Sequence, residues 1–219
     1  FMIVPRFVLG GKGYTAPSDQ LLIAGVGVGG KGESDLASFA KSGKARIAYL
    51  CDVDDRRAAR AVQAYPQAKY YKDWRQMLEK EGKNFDAVSV ATPDHNHAAV
   101  TLAAMQLGKH VYVQKPLTHD LYEARALTEA AKRHKVVTQM GNQGASGDGV
   151  RQLQEWYDAN EIGKVHTVYC WTDRPVWPQG IAWPTTAASV PKELDWDLWL
   201  GTAPFRPYVD KLVPFNWRG

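Results

Sequence analysis

The stretch Leu21-Leu-Ile-Ala-Gly-Val-Gly-Val-Gly-Gly30 constrains this chain more than any other. An apolar run ends in Gly25-x-Gly27-x-x-Gly30, and a helix-compatible segment follows at once. A first strand, a tight turn and a phosphate-facing helix give this pattern in a dinucleotide-binding unit. The spacing assigns each glycine a task. Gly25 permits the turn off the strand, Gly27 lets a pyrophosphate approach the backbone, and Gly30 lets the helix pack close to the strand. The helix N-terminus then offers N–H groups and the positive end of its dipole to phosphates. Alone, such a motif is a weak signal, because glycine-rich turns are common. A second apolar run over 46–51 strengthens it by ending at Asp52. That acid lies about twenty residues past the last motif glycine, where an acceptor for a ribose 2′-hydroxyl is expected. The plain alternative for Asp52 is a solvated acid at a strand end.

Bulk properties narrow the field. A chain of 219 residues can bury a sizeable core in one or two domains. The net charge of +4 is scattered, with no long basic run, which argues against a nucleic-acid partner. No apolar stretch is long enough to span a membrane. Cys51 and Cys170 both sit in apolar runs and are expected to be buried free thiols. Of eight tryptophans, all but Trp74 and Trp156 follow residue 170, interleaved with prolines. The last third is therefore built differently from the rest.

Short apolar runs alternate with helical patterns from Gln20 to about Met140. The pattern predicts strands near 21–25, 46–51, 69–71, 86–91, 110–113 and 135–140. It predicts helices near 29–42, 55–64, 73–81, 95–107 and 119–134. Asp73 is read as the N-cap of the third helix. Thr118 is read as that of the fifth, with Leu121, Ala124, Leu127 and Ala131 on its inner stripe. The fold class is α/β, a Rossmann-type parallel sheet with helices on both faces, which takes ligands at the carboxyl ends of its strands. The tails Ala91-Thr92-Pro93-Asp94-His95-Asn96-His97, Gln114-Lys115-Pro116 and Gly141-Asn142-Gln143-Gly144 should then line one crevice with the glycine turn. Residues 1–19 read as an N-terminal extension, 20–145 as the dinucleotide-binding domain and 146–219 as the start of an open-sheet α/β substrate domain. In this last part a helix is expected over 150–160, with Leu153, Trp156 and Tyr157 on one side. An alternating strand is expected over 164–171, and mostly irregular chain from Thr172 on, with one helical turn near 196–200.

With these residues placed, the chain resembles the Gfo/Idh/MocA family of nicotinamide-dependent oxidoreductases. Four stretches carry the likeness: Gly25-Val-Gly-Val-Gly-Gly30, Cys51-Asp52-Val53-Asp54, Ala91-Thr92-Pro93 through His97, and Gln114-Lys115-Pro116. Trp177-Pro178-Gln179-Gly180 and Asp195-Trp196-Asp197-Leu198-Trp199-Leu200-Gly201 are similar to a bacterial, exported-type subgroup. The resemblance implies NAD as cofactor, with NADP disfavoured by Asp52 although Arg56 and Arg57 lie nearby. Gly25, Gly27, Val28, Gly29 and Gly30 would hold the pyrophosphate and Asp52 the adenosine ribose. Thr92, Pro93, His97, Gln114 and Gln143 would surround the nicotinamide half, and Lys115 would be the catalytic acid/base. The family signature is Glu-Lys-Pro, whereas this chain has glutamine at position 114. A glutamine can still bond a ribose hydroxyl but adds no negative charge beside the lysine.

The implied activity is hydride transfer between NAD and a small sugar or polyol. Two alternatives stay open: an NAD-using glycosidase or epimerase with transient oxidation, and a non-catalytic dinucleotide-binding module. No metal site is expected, since His95 and His97 have no third ligand cluster. His95 is read as solvated and His166 as a packed or edge histidine. Arg174, Trp177 and Trp183 would either line a sugar site or serve aromatic packing. The family places a second catalytic group well into its second domain, so the chain is expected to be part of a longer polypeptide. The resemblance also implies a homo-oligomer formed through that domain. Val4-Pro5-Arg6 and Leu9-Gly10-Gly11 are similar to the segment that follows an export leader, which suggests a periplasmic location.

Overall fold

The six apolar runs become six parallel strands. In the computed structural model, which describes residues 10–11, 15–174, 179–180, 182 and 184–218, these are β1 (Leu21–Val26), β2 (Ala45–Cys51), β3 (Lys69–Tyr71), β4 (Ala87–Val90), β5 (His110–Gln114) and β6 (Thr138–Gly141). Between them run α1 (Lys31–Lys41), α2 (Asp55–Ala64), α3 (Trp74–Glu81), α4 (His97–Gln106) and α5 (Leu121–His134). The strand order is β3-β2-β1-β4-β5-β6, the doubly wound order of a Rossmann sheet. The direction of winding reverses between β1 and β4, whose residues pair in register from Ile23 with Ala87 to Val26 with Val90.

Alternation along the strands feeds two cores. Ile23, Ile47 and Leu50 pack with Val28, Leu36, Ala58 and Ala61, beneath α1 and α2. Ala24, Val26, Tyr49 and Cys51 face the other way and join Met77, Phe85, Val100, Met105, Leu127 and Ala130, beneath α3, α4 and α5. Burial of apolar surface on both faces, at roughly 25 cal/mol per Å², stabilises the central strands β2, β1, β4 and β5, which read as apolar runs, while the edge strands β3 and β6 are more exposed.

Helix starts follow local chemistry. Asp54 and Asp73 cap α2 and α3 by accepting the backbone N–H groups of Arg56 and Arg75. The cap of α5 is not Thr118 but Asp120, which accepts from Glu123 N at 2.8 Å. Thr118 instead donates its hydroxyl to the Asp120 carbonyl. Leu121, expected on the inner stripe, opens the first turn and is 76% exposed, whereas Leu127 and Ala130 are buried and Ala131 packs against the same core.

The described residues form two compact units. The first joins the sheet, up to Gly141, to the later segment Pro191–Phe205. That segment returns to the carboxyl edge of the sheet through Asp195 N to Val53 O at 2.9 Å, Asp55 N to Glu193 O at 3.1 Å and a bridge between Asp54 and Leu194. It carries α7 (Trp196–Leu200), capped by Asp195, with Trp196 and Trp199 stacked at 4.8 Å.

The second unit comprises 142–190 and 206–219, of which 142–174, 179–180, 182, 184–190 and 206–218 are described. It holds α6 (Asp148–Asp158), on which Leu153, Trp156 and Tyr157 are exposed. Residues 164–171, expected as a strand, make no ladder, and Val168, Tyr169 and Trp171 are exposed. Alternation supplies faces but not a partner strand, and among the described residues none pairs with this segment. Cys170, expected to be buried, is exposed for the same reason, whereas Cys51 is buried in the sheet. Among the described residues no helix is long and apolar enough to cross a membrane.

Candidate functional site: a crevice at the sheet's reversal point

The glycine turn is locked to the tails of its neighbouring strands. Gly27 has φ +77° and donates its N–H to Cys51 O at 2.8 Å. A Cβ at Gly27 would stand 2.6 Å from the Ala91 carbonyl atoms and 2.7 Å from Thr92 N. The closest approach thus serves the tail of β4. The tight turn also belongs to Gly27, because Gly25 lies inside β1 and makes room for Leu36 of α1. Gly30 has φ +57° and only the Arg57 guanidinium near its missing Cβ. The close packing expected of Gly30 is instead made by Gly32, whose Cβ would overlap the carbonyl oxygen of Gly27.

Asp52 sits at the end of β2, beside the turn. Its Oδ2 accepts from Val28 N at 2.9 Å and Gly29 N at 3.2 Å, and its Oδ1 accepts from Asp54 N at 3.0 Å. Burial pushes this carboxyl up from its ordinary value, and the backbone donors at Asp54, Gly29 and Val28 pull it back. Each carboxylate oxygen takes about two hydrogen bonds, so Oδ1 keeps capacity for a hydroxyl. Of the two nearby arginines, Arg56 is bound to Asp54 through Nε at 2.8 Å and Nη2 at 2.6 Å. Arg57 lies along Gly29 and Gly30.

On the other side, His97 is 1% exposed. Its Nδ1 lies 2.7 Å from Pro116 O and its Nε2 2.9 Å from Thr92 O. Both ring nitrogens are turned to backbone carbonyls, so this side chain ties the tail of β4 to that of β5. Pro93 leads into the 3-10 turn Asp94–Asn96 that starts α4. Lys115 is exposed and precedes Pro116 through a cis peptide. Gln114 is buried; its Nε2 donates to Asp35 Oδ2 at 2.6 Å, and Asp35 also pairs with Lys31. His95 is not solvated: it is partly buried, and its Nε2–H donates to Trp199 O at 3.1 Å. Burial pushes its pKa down. Asn96 donates to the same carbonyl at 3.1 Å.

Of the remaining candidates, Gln143 falls in the second unit, exposed in the 3-10 turn Gln143–Ser146. His166 and Arg174 are exposed there too. Trp177, Trp183 and Val4-Pro5-Arg6 lie outside the described residues. His119, Asp120 and Glu123 converge at the start of α5. Helix capping accounts for this, since Glu123 Oε2 accepts from His119 N at 2.9 Å while Asp120 accepts from Glu123 N.

Two observations show that a dinucleotide fits this crevice. No side chain caps α1, which leaves first-turn N–H groups and the positive dipole end for a pyrophosphate. Thr92 Oγ1 is buried without a hydrogen-bond partner, which leaves at the crevice a hydroxyl with bonding capacity for a ligand. The glycine turn, Asp52 and the β4 and β5 tails thus define a dinucleotide-binding Rossmann domain.

Comparison with known proteins narrows this class. The model of the Gfo/Idh/MocA oxidoreductase family, NAD-binding Rossmann fold, matches residues 21–142. The chain belongs to this family, and the part that matches is its NAD-binding Rossmann fold. It is 31% identical over 120 residues to scyllo-inositol 2-dehydrogenase (NAD(+)) of Bacillus subtilis, covering 55% of this chain and 34% of that one. It is 29% identical over 162 residues to inositol 2-dehydrogenase of Rhodococcus erythropolis, covering 74% and 46%. The crystal structure of myo-inositol 2-dehydrogenase from Lactobacillus plantarum superposes with a TM-score of 0.62 at 25% identity, over 67% of this chain and 43% of that one. The chain spans between a third and a half of the length of these relatives.

Sequence reasoning missed Gly32, Asp35 and the returning segment 191–205. Gly32, Asp35 and Leu36 are all buried on α1, and their i, i+3, i+4 spacing was a usable signal. The return of 191–205 has no local signature.

Proposed function

We propose that this protein is an NAD-dependent oxidoreductase acting on a sugar or polyol, with Lys115 as its acid/base. The observation that carries the reading is the position of Lys115. It is the first residue beyond β5, tied through Pro116 and His97 to the Thr92 tail that meets the glycine turn. The uncapped first turn of α1 would hold the pyrophosphate beside the glycine turn, whose Val28 and Gly29 N–H groups are engaged by Asp52. Asp52 would hold the adenosine ribose, and Thr92 and Gln114 the nicotinamide half. Bound NAD supplies a hydride acceptor. Lys115 takes the hydroxyl proton of the carbinol being oxidised, so that a neutral carbonyl is left, and returns it in reverse. The inositol dehydrogenases among the relatives support a polyol substrate. Asp52 favours NAD over NADP, because its charge repels a 2′-phosphate.

The test is Lys115→Ala, assayed for NAD affinity and for NADH formation with a panel of polyols. Unchanged NAD affinity with turnover lowered by about 10²–10⁴-fold is expected. Turnover at the unsubstituted rate would overturn the role of Lys115.

The exported-type subgroup, with a periplasmic location, is a further part of the proposal. It is supported by the likeness of Asp195-Trp196-Asp197-Leu198-Trp199-Leu200-Gly201 and of the N-terminal segment, and it is tested by cell fractionation. A homo-oligomer formed through the second domain is proposed on the family likeness and tested by the native mass of the purified protein.

A further inference from the structure

Gln114 can present either end of its amide to a ligand, and the structure makes that choice through a residue on a different element. The buried amide nitrogen donates to Asp35 Oδ2 at 2.6 Å, from β5 to α1. A carboxylate has no proton to give, so Nε2 must face Asp35 and Oε1 is the end left over. Asp35 is itself 5% exposed and held by Lys31, one residue after the last motif glycine. Gly141 pairs with Gln114 across β5 and β6 and lacks the Cβ that would lie 2.6 Å from Nε2 and 2.8 Å from Cδ. Both neighbours thus accommodate the amide in this orientation.

The same geometry explains the departure from Glu-Lys-Pro. A glutamate at position 114 would set two carboxylates against each other where Gln114 now meets Asp35, and two such groups in a buried site cannot both ionise cheaply. The geometry points to Asp35 as a positioning residue that fixes Gln114 as an acceptor toward the cofactor ribose and carries, from α1, the negative charge that the family signature places on β5. This rests on the reading of the crevice as the NAD site.

The test is a charge exchange. Asp35→Asn, Gln114→Glu and the double variant that carries both substitutions are compared with the unsubstituted protein for NAD affinity by calorimetry and for thermal stability without ligand. Each single variant should bind NAD about tenfold more weakly, in line with loss of one charge-assisted hydrogen bond. In the double variant the amide introduced at position 35 donates to the carboxylate introduced at position 114, and affinity should return to within about threefold of the starting value. A single Asp35→Asn variant that binds NAD as before would overturn the proposal. So would a double variant that regains thermal stability but not affinity, because Asp35 would then be structural only. Absence of NAD binding by the unsubstituted protein would instead overturn the cofactor site, and this proposal with it.

Discussion

Replacing Gly27 by alanine tests the packing of the glycine turn against the β4 tail. Two costs add. An L-residue at φ +77° costs about 1–2 kcal/mol. The new Cβ would also stand 2.6 Å from Ala91 C and O and 2.7 Å from Thr92 N. All three are backbone atoms in a segment anchored by Ala91 N to Val26 O at 2.8 Å, so none can swing aside as a side chain would. Overpacking that forces a backbone shift costs about 1–3 kcal/mol. The sum is about 2–5 kcal/mol, a large share of the ~5–15 kcal/mol that holds a domain folded. Gly43 supplies the control, with φ +68° and nothing within 4 Å of a Cβ. Gly43→Ala bears only the conformational cost. Unfolding free energies of both variants from urea titration, with slopes compared to confirm a like transition, should differ by about 1–3 kcal/mol. If the two agree within about 0.5 kcal/mol, the turn does not pack on β4 as described.

Two predictions concern pH, and a third concerns Gly141. Glu81 accepts hydrogen bonds from Lys69, Tyr71, Asn84 and Tyr49, which lower its pKa to about 2. The native chain therefore resists protonation longer than the unfolded one, and the stability Glu81 contributes is lost as pH falls from 4.5 towards about 2. Glu81→Gln should flatten the acid limb of a plot of urea midpoint against pH; an unchanged limb would count against the cluster. His95 has the same sign in a higher pH window, since burial lowers its pKa from 6.5 and the unfolded chain takes the proton first. Stability should fall as pH drops below about 6.5, and the fall should be smaller in His95→Gln; equal slopes would refute the claim. Gly141→Ala should weaken NAD binding by displacing the Gln114 amide, as read by calorimetry, and full affinity would show that the amide has room to move.

Much of the sheet could be read in the sequence because each strand is its own signal. A parallel strand buried on both faces must be apolar nearly throughout, and the turns between must carry glycine or capping acids, as Asp73 does for α3. The N-cap of α5 was harder, because Thr118 and Asp120 are both good caps and only the backbone decides which N–H is in reach. Residues 164–171 alternate as a strand would, yet a strand also needs a partner, which alternation does not encode. The roles of the glycines shifted for a related reason. A motif gives spacing, but whether Gly25, Gly30 or Gly32 faces the neighbouring element depends on how α1 leans on β1. Asp35 and the return of 191–205 to His95 and Asn96 are contacts across distant parts of the chain, and no local pattern announces them.

The central claim is that the crevice between β1 and β4 binds NAD. Titration of the purified protein with NAD, and separately with NADP, by isothermal calorimetry tests it most directly. The account predicts one NAD per chain, weaker binding of NADP, and a loss of NAD affinity in Asp52→Ala. No binding of either dinucleotide, or NAD binding that Asp52→Ala leaves unchanged, would contradict it.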